Sequence, residues 1–199
     1  MLPIIDPHPV VVLASASPRR SELLRQLAIA HVIHAVDIDE TPRREEDPVD
    51  YVQRMALEKA DACWAALSRS PDTARVLAAD TSVILKGRIL GKPRDRDDAM
   101  AMLASLAGST HEVLTAVCLR TSADEDARTV LSRSLVTMAP LSHQQILDYW
   151  ETGEPCDKAG GYAVQGRAAM FITRIEGSYS GIMGLPLHET ATLLGLLSA

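Results

Sequence analysis

The sequence is poor in aromatic side chains, which make up 4% of its 199 residues and include a single phenylalanine. A hydrophobic core must therefore be built mainly from Leu, Val, Ile, Ala and Met. The overall hydrophobic content of 47% is ordinary for a soluble globular protein. No apolar run is long enough to cross a bilayer, so we expect no membrane partner.

Cysteine is also scarce. Cys63, Cys118 and Cys156 are odd in number and far apart, which matches neither a zinc site nor a disulfide framework. Residues 1–9 contain three prolines, and no basic segment precedes an apolar core. We therefore expect no signal peptide, and the cytoplasm is the simplest compartment.

The sequence also has no excess of basic residues, since its net charge is −6. This charge argues against a general nucleic-acid surface and against an anionic membrane surface. An anionic substrate would then require a local cluster of Arg and Lys, or a metal ion. The length favours one domain over residues 1–199.

The most informative stretch lies near the start of the chain. Residues 10–14 are apolar and rich in β-branched side chains, which predicts a buried strand. Ser17 is placed to cap a helix that Pro18 opens. Arg19 and Arg20 then fall in the first helical turn, where the helix dipole disfavours cations. A bound phosphate would resolve this conflict, so we expect both guanidinium groups to be free until an anion binds.

The rest of the pattern alternates between strands and helices. Predicted helices cover 18–27, 48–69, 95–107, 142–150 and the segment after residue 186, and predicted strands cover 32–38, 76–85, 88–90, 112–120, 128–138 and 169–175. Crossover connections and hairpins both occur. This combination predicts an α/β fold with a mixed sheet.

Charged residues interrupt this pattern where they are costly. Asp80 lies in the middle of an apolar strand, which is unfavourable unless it is paired or bound to a cation. Glu40 ends another strand, and Lys59 and Lys92 stand near element ends. Lysines suit a polyphosphate, and two carboxylates suit a divalent ion that could activate water against phosphorus. Spacing alone does not establish that these groups meet.

Eight motifs resemble the Maf family of nucleoside triphosphate pyrophosphatases. The matches, in chain order, are Ala14–Arg20 (Ala-Ser-Ala-Ser-Pro-Arg-Arg), Glu40, Lys59, Ala79-Asp80-Thr81, Lys92-Pro93, Asp157–Gly166, Glu176-Gly177-Ser178-Tyr179 and Gly184-Leu185-Pro186-Leu187. The resemblance implies an ITPase-like (Maf/Ham1) fold, a mixed twisted sheet flanked by helices with a cleft between two lobes. It also implies hydrolysis between the α- and β-phosphates, and it is compatible with a homodimer.

The same resemblance assigns roles to individual residues. It implies that Asp80 is the catalytic base, and that Glu40 and Asp80 hold a divalent cation, Mg²⁺ or Mn²⁺. Further implied roles are triphosphate contacts and catalysis for Lys59 and Lys92, triphosphate contact for Arg20, substrate binding for Ser15 and Ser17, and choice of the base for Arg19, Thr81 and Gln165.

Gln165 indicates a branch of the family. A glutamine amide offers one donor and one acceptor, so it can pair with both N3–H and O4 of uracil or thymine. Guanine presents two adjacent donors and would suit a carboxylate better. The loop departs slightly from the common family pattern at Gly161 and Ala163. We therefore expect a nucleoside triphosphate substrate, dTTP or UTP, including modified pyrimidine nucleotides.

Three other functions stay open at this point. The first is hydrolysis of 7-methyl-GTP or another modified nucleotide. The second is nucleotidyl transfer, which would favour a Gly-rich turn where this chain has Ser15-Ala16-Ser17. The third is a non-enzymatic regulator of cell division, which would have no need of an aspartate within a strand.

Overall fold

The computed structural model of the protein describes residues 10–67, 75–121 and 127–197. Its strands are β1 (Val11–Leu13), β2 (His31–Ile33), β3 (Arg75–Leu85), β4 (Arg88–Leu90), β5 (Thr110–Arg120), β6 (Arg128–Met138) and β7 (Ile172–Glu176). Its helices are α1 (Pro18–Gln26), α2 (Pro48–Ala66), α3 (Arg96–Leu106), α4 (His143–Trp150), α5 (Tyr179–Met183) and α6 (Leu187–Leu193). Short 3₁₀ turns occupy Glu154–Asp157, Ala159–Gly161 and Arg167–Phe171.

The strands form one mixed sheet in the order β2-β1-β3-β5-β6-β7, with β4 paired to β3. β1 is parallel to both β2 and β3, and the helices α1 and α2 make the two crossover connections. The pairs β3–β4, β3–β5, β5–β6 and β6–β7 are antiparallel. The predicted mixed α/β sheet flanked by helices is therefore confirmed.

The strand β3 is much longer than β1 and β4, which share one of its edges. β1 pairs with residues 75–77 of β3, and β4 pairs with residues 83–85. On the other edge, β5 pairs with β3 continuously from Val76 to Ile84. Within the described ranges, residues 78–82 thus have a partner strand on one side only. This open stretch of edge contains Asp80 and Thr81.

The two faces of β3 meet different layers. Val76, Ala78 and Ile84 pack with α2, whereas Leu77 and Ala79 pack with α1 and α6. Since strand side chains alternate between faces, Asp80 belongs to the α2 face and Thr81 to the α1 face. A third cluster joins α3 and α4 to β5 and β6. The open edge is therefore reached from both sides of the sheet.

Several predicted boundaries differ from the structure. The second strand spans only His31–Ile33 rather than 32–38, because β1 offers three residues for pairing. The last strand begins at Ile172, since the preceding segment Arg167–Phe171 is a 3₁₀ turn. The end of the long helix at 68–69, most of the acidic turn at 123–127 and the signal-peptide prediction on 1–9 lie outside the described residues. No helix in the described ranges is both long and apolar enough to cross a membrane.

A buried histidine lies where β5 begins. His111 is 2% exposed, and its Nε2 is 2.8 Å from the Tyr162 hydroxyl. Its Nδ1 has no hydrogen-bond partner among the described residues. Burial lowers the pKa of His111 to about 4, so the ring is neutral in the folded protein near neutral pH.

This pKa predicts a loss of stability at mildly acidic pH. The unfolded chain binds a proton at His111 below about pH 6.5, whereas the folded protein does so only near pH 4, so stability falls across this window. Between pH 7 and pH 5 the loss due to His111 should be about 2 kcal/mol. Urea denaturation of the parent and of His111→Gln at several pH values measures it. Equal pH slopes for the two proteins would contradict the assignment.

Candidate active site

A cleft of about 700 Å³ opens over the stretch of β3 that has a partner strand on one side only. It is lined by α1, the segment that leads to α2, the β4 hairpin and the turns around residues 156–165. All ten of the predicted site residues line it: Ser15, Ser17, Arg19, Arg20, Glu40, Lys59, Asp80, Thr81, Lys92 and Gln165. The geometry therefore brings together residues that come from every third of the chain.

Three ionic side chains meet at the base of the cleft. Lys59 Nζ lies 2.6 Å from Glu40 Oε1 and 2.7 Å from Asp80 Oδ1. Both Lys59 and Asp80 are buried. Lys59 belongs to α2, and its side chain reaches the face of β3 that carries Asp80. A buried charge without a partner costs several kcal/mol, so these three groups hold one another in place.

Glu40 is fixed by its backbone as well as by its side chain. The Tyr51 hydroxyl of α2 donates a hydrogen bond of 2.8 Å to the Glu40 carbonyl oxygen. Burial alone would raise the pKa of Glu40, but the hydrogen bond and charge of Lys59, with the charges of Lys92 and Arg20, lower it overall. Burial raises the pKa of Tyr51 to about 12. Glu40 is thus an anion, and Tyr51 remains a donor.

The two carboxylates suit a divalent cation. Glu40 Oε2 lies 3.7 Å from Lys92 Nζ, and Asp80 Oδ2 lies 3.4 Å from the Ser82 hydroxyl. Each carboxylate therefore keeps one oxygen with only a long contact. In the ranges 10–67, 75–121 and 127–197, no group of three or more His, Cys, Asp and Glu is arranged to hold a metal. A divalent ion bound by this pair would take its remaining ligands from water and phosphate.

Arg20 is bound by neutral oxygen atoms. Its Nε donates to the Gly184 carbonyl at 2.9 Å, its Nη1 to Ser15 Oγ at 3.0 Å, and its Nη2 to Thr81 Oγ1 at 3.3 Å. Burial lowers the pKa of Arg20 from its usual value, although Asp80 opposes this effect. The expectation of a free Arg20 does not match these contacts. Its charge nevertheless lacks a contacting carboxylate among the described residues, which leaves it suited to an anion.

The turn before α1 keeps its backbone open. Ser17 occupies the N-cap position, as predicted, but its side chain makes no capping hydrogen bond. Ser15 Oγ instead accepts from the Ser17 amide at 3.2 Å. The first amides of α1 therefore lack helical partners and face an environment where an anion is favoured. Arg19 lies at the edge of this turn, with its Nη1 4.0 Å from Asp157 Oδ2.

Gln165 lies apart from the ionic cluster. It is exposed and belongs to a turn in which the Gly166 amide donates to the Ala163 carbonyl at 3.0 Å. Thr81, by contrast, is held between Arg20 and the Thr115 hydroxyl, which lies 3.0 Å away. Of the three residues expected to choose the base, only Gln165 and Arg19 therefore have side chains that a ligand could engage without displacing short contacts.

Several cleft residues were missed by the sequence analysis. Ser82 could have been found, because it lies two positions beyond Asp80 and so shares its face of the strand. Tyr51 gave no signal, since a tyrosine in a helix is ordinarily a packing residue. Asp157 and Lys158 form an ion pair at the cleft wall, but they were recognised only as part of a family motif.

The fold and the site together define an α/β protein with a cationic cleft and a central carboxylate pair. Residues 10–197 match the model of the family described as Maf-like protein. The chain belongs to the Maf family, as the sequence motifs indicated.

Curated relatives match over nearly the full chain. The dTTP/UTP pyrophosphatase of Alkalilimnicola ehrlichii is 48% identical, with 98% of this chain and 95% of the relative covered. Those of Hahella chejuensis and Burkholderia pseudomallei are each 51% identical, covering 92% and 94% of this chain and 90% and 93% of the relative. Among solved structures, a dITP/XTP pyrophosphatase from Mycobacterium abscessus is 16% identical over 66% of this chain and 75% of its own, with a TM-score of 0.41.

The contacts of the two arginines predict different effects on stability. Arg20→Gln removes a guanidinium that joins α1 to β3 and to Gly184, and should lower the free energy of unfolding by about 2 kcal/mol. Arg19→Gln should change it by less than about 0.5 kcal/mol, because its ion pair is long and partly exposed. Urea denaturation without ligand measures both. Equal losses for the two variants would contradict these roles.

Proposed function

We propose that this protein hydrolyses dTTP and UTP, and modified pyrimidine nucleotides of the same shape, to the monophosphate and pyrophosphate. The observation that carries the proposal is the Glu40–Lys59–Asp80 cluster at the base of a cleft lined by further cations. The names of relatives about half identical over nearly the whole chain support the same activity. The proposed role is control of the cellular nucleotide pool.

Asp80 is proposed as the general base. Its Oδ2 has one contact among the described residues, the Ser82 hydroxyl at 3.4 Å, so it has room to accept a proton from water. Its other oxygen is held by Lys59 at 2.7 Å, which fixes the carboxylate. The water would attack the α-phosphorus, and pyrophosphate would leave with the bond electrons.

The cations of the cleft would stabilise the charge on the leaving group. Lys92 is 64% exposed at its side chain and free to reach a phosphate. Arg20 and the open amides of α1 line the same cleft. Preorganised donors of this kind act mainly where charge develops during the reaction.

The residues that would hold a divalent ion are Glu40 and Asp80. Bound there, Mg²⁺ or Mn²⁺ would supply Lewis-acid polarisation of the phosphate oxygens. Lys59 already neutralises part of the charge of this pair, so the protein can hold the carboxylates together before any cation arrives.

Recognition of the base is proposed to rest on Gln165. Its side chain is exposed at the cleft, away from the ionic cluster. One amide group can donate to O4 and accept from N3–H of uracil or thymine. The proposed partner is a free nucleotide rather than a nucleic acid or a membrane. The proposed compartment is the cytoplasm, and the chain is proposed to be able to form a homodimer.

A substrate screen tests the activity. We expect pyrophosphate release from dTTP and UTP with Mg²⁺ or Mn²⁺ and no acceptor present, and its loss when EDTA is added. Asp80→Asn should keep the fold and reduce turnover by about 10²–10⁴, because the amide cannot accept the proton. Circular dichroism of the variant serves as the control. Turnover within threefold of the parent would remove Asp80 from the mechanism.

Base recognition makes a separate prediction. Gln165→Glu places an acceptor against O4 of the base, and an unmatched polar group costs roughly 1–3 kcal/mol. The kcat/KM for dTTP and UTP should therefore fall about five- to a hundredfold relative to that for CTP. An equal fall for all bases would show that Gln165 only supports the loop.

A further inference from the structure

Gln165 does not fix its own position. Its side chain makes no hydrogen bond within the described ranges, and it lies in the turn closed by the Gly166 amide and the Ala163 carbonyl. The turn therefore sets the position of the Gln165 backbone and the direction in which its side chain leaves it. Whatever fixes the turn controls the contact between Gln165 and a base.

The Glu154 carboxylate binds the backbone on the C-terminal side of this turn. Glu154 Oε2 accepts a hydrogen bond from the Arg167 amide at 3.0 Å, and Oε1 accepts a longer one from the Ala168 amide at 3.4 Å. These amides follow the turn directly. Hydrogen bonds to an ionised acceptor are about twice as strong as neutral ones.

The N-terminal side of the turn is bound by Tyr149, which is itself hydrogen-bonded to the same carboxylate. The Tyr149 hydroxyl donates to Glu154 Oε1 at 2.6 Å, and its oxygen accepts from the Ala163 amide at 3.2 Å. Tyr149 is itself buried in α4, where its ring packs edge-to-face on Phe171. Glu154 and Tyr149 thus bracket residues 163–168 from both ends.

Packing adds a steric constraint. A Cβ atom at Gly166 would fall well inside van der Waals contact of the Glu154 carboxylate. The φ of Gly166 is −101°, so its backbone conformation does not itself require glycine. The carboxylate therefore lies directly against the turn that carries Gln165.

Burial alone would raise the pKa of Glu154, but the hydrogen bonds from Tyr149, Arg167 and Ala168 lower it overall. The carboxylate is therefore ionised at neutral pH. Lys158, which contributes to the same lowering, is itself paired with Asp157. The Glu154 carboxylate is thus shared by the Tyr149 hydroxyl and the two backbone amides that follow the turn.

We propose that Glu154 is a positioning residue for base selection, which acts through the turn 163–166 to aim Gln165 at the pyrimidine. Glu154 does not line the cleft and touches no substrate. The inference rests on the proposed function, since it assumes a pyrimidine nucleotide beside Gln165.

The test is a double-mutant cycle on base preference, measured as the ratio of kcat/KM for UTP to that for CTP. Glu154→Ala should lower this ratio about tenfold, mainly through a higher KM for UTP. The double variant Glu154→Ala with Gln165→Ala should have the same ratio as Gln165→Ala alone. The reason is that each change removes the same contact, the one between Gln165 and the base. Inhibition by inorganic pyrophosphate should stay within twofold of the parent.

Matched variants separate positioning from general damage. Glu151→Ala removes an exposed glutamate three residues away and should leave the ratio unchanged. Tyr149→Phe keeps the ring and should lower the ratio less than Glu154→Ala does, and it serves if Glu154→Ala does not fold. Glu154→Gln keeps one acceptor oxygen, so its UTP-to-CTP ratio should lie between that of the parent and that of Glu154→Ala.

Two results would overturn the proposal in different ways. If the parent hydrolyses UTP but Glu154→Ala and Tyr149→Phe lower activity on UTP and CTP equally, or if the effects of Glu154 and Gln165 add, then Glu154 is only structural. If the parent releases no pyrophosphate from any pyrimidine triphosphate, the proposed function fails and this inference fails with it.

Discussion

The contact of Lys59 with Asp80 and Glu40 is the constraint on which the rest of the site depends. The three side chains come from α2, from β3 and from the segment between β2 and α2. Because isolated charges are costly in a buried site, none of these elements can move alone. The open stretch of β3 makes the arrangement accessible, since β1 ends and β4 begins on either side of Asp80.

Local charge in this molecule opposes the overall charge. The net charge is −6, yet the cleft wall carries Arg19, Arg20 and Lys92. A surface that is acidic on average repels polyanions in general, whereas these three cations form a local basic group within it. Arg20 needs no carboxylate to stay in place, because neutral oxygens of Ser15, Thr81 and Gly184 hold it. Its charge therefore remains available to a ligand.

The sequence pattern alone identified charged residues that are unfavourable in their predicted strand or helix. Asp80 interrupts an apolar strand and Arg20 opposes a helix dipole, so both could be singled out without a structure. The pairing of these residues with Lys59 and Gly184 could not be found in this way, since Lys59 is 21 residues from Asp80 and Gly184 is 164 residues from Arg20. Periodicity also overextended β2, because the length of that strand is set by its neighbour β1 rather than by its own side chains. Glu154 breaks no local rule, and only its contacts in the folded chain distinguish it from other glutamates.

The two halves of the cleft are held by different kinds of interaction. The phosphate half is fixed by buried ionic groups that connect the sheet to α2, so a change there disturbs the core and the chemistry together. The half that carries Gln165 is fixed by hydrogen bonds that the backbone amides of one turn donate to Tyr149 and Glu154, which are themselves joined by a hydrogen bond. A substitution at that turn therefore alters no contact of Lys59, Asp80 or Glu40. The ionic cluster and the turn that carries Gln165 are therefore held independently of each other.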